Sequence, residues 1–103
     1  MVSHPERPER GARFTFDRVD VDDARAEYRV TVAVATMEFA TTALLRRDGG
    51  DIQLASWSPV TPEPQWIHET VRAFLKTMHA NHCDDEPASW PRRVRRWRAP
   101  RGV

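Results

Sequence analysis

The chain has one cysteine, Cys83, so no internal disulfide can form and nothing argues for an oxidising compartment. It lacks any apolar run near the roughly 20 residues that a membrane-crossing helix needs. Met1 to Arg13 is polar and proline-bearing, without the apolar centre of a secretory signal. A cytoplasmic location is the expectation. Also missing are a phosphate-cradling glycine loop, a paired-carboxylate motif and a nucleophile elbow. These absences disfavour an enzyme, although carboxylates distant in sequence escape such a reading.

Lysine is nearly absent, since fifteen of the sixteen basic residues are arginine. Acid is absent from the last stretch altogether. Residues 1–86 hold ten basic against fifteen acidic residues, a balance of −5, whereas residues 87–103 hold six arginines and no acid. That asymmetry predicts a basic tail that either has its own ligand or folds back on an acidic body.

What is present fits one small domain. A chain of 103 residues buries about two-thirds of its unfolded surface, and 40% hydrophobic with 30% charged content is ordinary for a soluble protein. The strongest pattern runs from Pro62 to His82. Ile67, Val71, Phe74, Leu75, Met78 and His82 fall on one helical stripe, with His68, Glu69, Arg72, Lys76, His79 and Cys83 opposite. Thr61 stands where an N-cap belongs, with Pro62 in the first helical position.

Ahead of this helix the period is two. Phe14 and Phe16 alternate with Arg13, Thr15 and Asp17; Tyr28, Val30, Val32 and Val34 alternate with Arg29, Thr31, Ala33 and Ala35. Met37 to Arg47 fits strand or helix, and strand is preferred because Asp48-Gly49-Gly50-Asp51 is a hairpin signal leading into Ile52 to Trp57. The expected fold is α+β: a four-stranded antiparallel meander covered on one face by one long helix, then a short basic helix or arm. The expected divisions are a disordered arm at 1–11, the α+β domain at 12–82, an acidic linker at 83–88 and an Arg/Trp-rich segment at 89–103. Four strands followed by a helix resembles, in element order alone, single-stranded nucleic-acid-binding modules of the transcriptional-coactivator type.

Two clusters invite a metal, and neither completes a site. Asp20, Asp22 and Asp23 suggest a calcium loop, but Arg25 stands where that loop needs glycine. His79, His82, Cys83, Asp84 and Asp85 are good ligands, yet His82 faces the stripe while His79 and Cys83 face away, and a closed zinc site wants four ligands. A Cys83–His79 nucleophile pair lacks an orienting third group. No metal and no cofactor is expected.

The candidate site is therefore the tail, where Arg92, Arg93, Arg95, Arg96 and Arg98 surround Trp90, Val94 and Trp97. Arginine pairs with phosphate through two parallel hydrogen bonds, and indoles stack on bases. Nucleic acid or an acidic protein surface is the expected partner, and a basic amphipathic helix would equally suit an anionic membrane surface. The alternative is a protein-interaction or homodimerising module, associating through a sheet edge or the open face, whose tail packs on the domain as structure.

Overall fold

The computed structural model describes residues 10–62 and 65–99; most of the arm expected at 1–11, and the last residues of the tail, lie outside these. Among the described residues five antiparallel strands form one open sheet, with a single α-helix on one face. β1 (Ala12–Val21), β2 (Arg25–Ala33), β3 (Glu38–Arg46) and β4 (Ile52–Leu54) form the expected meander, although β4 stops at Leu54, short of the Trp57 expected. Their alternation decides which face is covered. Phe14 and Phe16, then Tyr28, Val30 and Val32, then Phe39, Ala43 and Leu45 are all buried toward the helix.

Short-range chemistry sets the turns. The Asp22 carboxylate accepts the N–H groups of Ala24 (2.8 Å) and Arg25 (2.9 Å), closing the β1–β2 turn. The same two backbone donors hold its pKa below the ordinary carboxylate value. Between β2 and β3, where no glycine or proline marks a turn, the Val34 N–H donates to the Met37 carbonyl at 2.9 Å. Gly49 and Gly50 take φ of +89° and +76° between β3 and β4. That conformation is cheap only for glycine.

α1 (Trp66–His82) begins four residues later than the stripe suggests. Gln65, not Thr61, occupies its N-cap and makes no side-chain cap bond. Ile67, Val71, Leu75 and Met78 are buried against the sheet as the spacing requires. Phe74 is only half-buried, set edge-on against Phe14 (5.4 Å between centroids) and Phe16 (5.8 Å). Among the described residues, no helix is long and apolar enough to cross a membrane.

The tail departs from the expectation. Ser89 to Arg98, expected as a short helix or arm, instead gives one 3-10 turn (Pro87–Ser89) and then β5 (Arg93–Arg98), paired antiparallel to β1. The meander is thereby a five-stranded sheet of order β4-β3-β2-β1-β5. Three causes combine. Pro91 disfavours the α conformation at Trp90, which sits at φ −65°, ψ 138°. A ten-residue helix is marginal in water, and the outer edge of β1 offers backbone partners at once.

Candidate polyanion interface

β5 is held by an anchor at its start. Trp90 is 1% exposed, packed among core residues with His82 at 6.0 Å and the Arg47 guanidinium 5.8 Å above its ring. Its carbonyl accepts from Arg18 Nη1 (2.9 Å), and the next carbonyl, of Pro91, accepts the Tyr28 hydroxyl (2.6 Å). Burial pushes the Tyr28 phenol up to about 12. The anchor itself is folding machinery: an indole this buried cannot stack on a base.

From there the strand period sorts the tail by face. β5 pairs Asp17 with Arg93, Thr15 with Arg95 and Arg13 with Trp97, placing those β5 residues on the face the helix leaves open. Val94, Arg96 and Arg98 lie opposite Phe16, Phe14 and Ala12, on the helix side. There Arg98 sits 4.7 Å over the Phe74 ring, and Arg96 lines a cleft of about 100 Å³ with Phe74, Asn81 and His82. Arg92 is exposed just ahead of the strand, and its carbonyl accepts the Arg18 N–H at 2.9 Å. The seven candidate residues are thus divided among the core, the helix side and the open face.

On the open face Arg93, Arg95 and Trp97 meet two arginines from the meander. Register brings Arg13 beside Trp97, and Arg29 beside Asp17, which faces Arg93. Thr15 and Thr31 lie between. At about 3.4 Å per residue and 4.8 Å between strands, this patch covers roughly 13 by 10 Å. Arg29, Arg93 and Arg95 are exposed, and Trp97 is 49% exposed with its indole N–H donating to the Arg10 carbonyl (3.1 Å). Arg93 is partly committed, since its Nε donates to Asp17 at 2.5 Å. Asp20 and Glu27, opposite each other in register, bound the patch with carboxylates. Arg29 was legible as facing away from the valine stripe; Arg13 alternates with the phenylalanines, but only β5 gives it company.

The other candidate clusters have structural partners. His79 donates to the Arg47 carbonyl (2.8 Å), and His82 Nδ1 donates to the Asp85 carboxylate (2.8 Å). Trp57 donates to His68 Nδ1 at 3.1 Å. Among the described residues, no group of three or more His, Cys, Asp or Glu is arranged to hold a metal ion. The chain matches no known family, and no curated protein or solved structure proves similar to it.

Proposed function

We propose that this protein is a small non-enzymatic module that binds single-stranded nucleic acid on the open face of its sheet. The observation that carries the reading is that β5 sets Arg93, Arg95 and Trp97 on the uncovered face beside Arg13 and Arg29. Guanidinium groups meet phosphate oxygens in forked pairs, and a half-exposed indole supplies a flat surface for one base. A patch bounded by Asp20 and Glu27 suits a short footprint of a few nucleotides with little base preference. Of the seven tail residues, Arg95 and Trp97 carry most of this role; Trp90 carries none.

The test is a fluorescence titration of the full chain with a single-stranded oligonucleotide at several salt concentrations. Counterion release gives a slope of log affinity against log salt near −0.7 per phosphate neutralised, so three contacts imply about −2. Trp97→Ala should weaken binding by about 1–3 kcal/mol while the fold persists. No binding at low salt would remove the reading.

A second reading has its own support. The Arg93–Asp17 pair and the docking of the segment as a strand are what a purely structural tail would show. Charged side chains along an outer strand also discourage edge-to-edge aggregation. In that case the module acts through protein contacts, homodimerisation included, and the unmodified chain shows no salt-dependent binding of single-stranded nucleic acid.

A further inference from the structure

β5 is an outer strand, and its backbone geometry can be worked out from one bond. The Arg18 N–H donates to the Arg92 carbonyl at 2.9 Å, which makes these two a hydrogen-bonded antiparallel pair. Counting on by twos, Val94, Arg96 and Arg98 turn their amides toward β1. Arg93, Arg95 and Trp97 turn theirs outward, away from the sheet. Among the described residues no strand pairs on that side. The opposite edge, β4, is only three residues long, against six in β5.

We propose that the outer edge of β5 accepts an extended acidic peptide as a sixth strand. This goes beyond the nucleic-acid reading, because it uses the main chain of β5 and does not depend on base stacking. The charge pattern selects the occupant. Arg93 and Arg95 project from one face of the strand and Arg96 and Arg98 from the other. An incoming strand therefore meets cations on both of its sides, wherever its own side chains alternate. A second copy docking β5 against β5 antiparallel would set arginine against arginine, which is unfavourable for directly opposed side chains. Glutamates in those positions are attracted instead. The backbone bonds supply affinity, and the arginines select acidic sequences.

The experiment compares two variants and two ligands on the full chain. Arg95→Ala removes the charge and keeps the outward N–H. Arg95→Pro removes both, and it spares the bonds to β1 because the lost donor faces away. An octapeptide of glutamate and valine should bind the unmodified protein, bind R95A several-fold more weakly, and bind R95P at least tenfold more weakly than R95A. The same peptide N-methylated at every amide, so that neither of its edges can donate, should lose at least tenfold on the unmodified protein, which keeps the test valid if R95P fails to fold. A single-stranded oligonucleotide held by side chains should lose equally in R95A and R95P, so the two readings fail separately. Equal peptide binding by both variants and both peptides would overturn the proposal, as would no peptide binding by the unmodified protein. A doubled solution mass in the absence of peptide that R95P, but not R95A, returns to the monomer value would also overturn it, by giving the edge to a second copy.

Discussion

Replacing Trp90 by alanine is the most informative single perturbation, because sequence pattern and structure give the residue different roles. Its side chain is 1% exposed and lies against His82 and beneath Arg47, and its own carbonyl and that of Pro91 accept the Arg18 and Tyr28 bonds that fix the entry to β5. Truncating a large buried aromatic costs about 3–5 kcal/mol. A small domain holds only about 5–15 kcal/mol in total, so most of the margin disappears. At about 4–8 °C per kcal/mol, Tm should fall by roughly 12 °C or more. Trp97→Ala, at 49% exposure, should cost less than about 1 kcal/mol. The assay is a pair of thermal and urea melts followed by circular dichroism, with amide exchange read at Val94, Arg96 and Arg98. Those amides should exchange faster in W90A, since the strand has lost its anchor. Equal melting midpoints for the two variants would refute the assignment of Trp90 to the core.

Phe74→Ala should cost about 3 kcal/mol, the low end for a phenylalanine because the ring is half-buried, whereas Lys76→Ala on the exposed side should stay within about 0.5 kcal/mol; urea melts check both. Gly11→Ala should destabilise by more than about 1 kcal/mol, because Gly11 has φ +71° and an added Cβ would strike the Arg98 carbonyl of β5. Tyr28 bears on alkaline stability: with its pKa raised to about 12 from 10, its contribution is complete below pH 10 and is lost as pH rises through the interval to 12. Melts across that interval should show a decline that Tyr28→Phe reduces. Asp22 acts in the opposite sense, since its lowered pKa gives stability above the ordinary value of 3.8 that is lost on acidification below it; Asp22→Asn should flatten the acid limb of a pH–Tm curve.

The meander and the helix were legible because each shows a period that only one conformation satisfies. Alternating Tyr28, Val30 and Val32 bury as a strand, and Ile67, Val71, Leu75 and Met78 bury as a helix face. β5 carries no such signal. Its one aliphatic residue, Val94, is only half-buried, so neither period appears in its hydrophobicity. Trp90, Val94 and Trp97 happen to stand at helical spacing, yet the last two end on opposite faces of the sheet. What settles the conformation is the outer edge of β1, eighty residues earlier in sequence, together with the core space that Trp90 fills. The candidate site was legible only in part for the same reason. Arginines and an indole could be named, but which of them share a face, and that Arg13 and Arg29 join them, follows from pairing alone.

Indole resonances report directly on where a single-stranded nucleic acid sits on the sheet. The chain has four tryptophans, so an amide-correlation spectrum shows their indole N–H signals individually. On adding a single-stranded oligonucleotide at low salt, the Trp97 indole and the amides of Arg93, Arg95, Arg13 and Arg29 should shift together, while the buried Trp90 indole stays in place. An unchanged Trp97 signal, or shifts gathered on the helix side around Phe74 and Asn81, would show that the open face is not where nucleic acid binds.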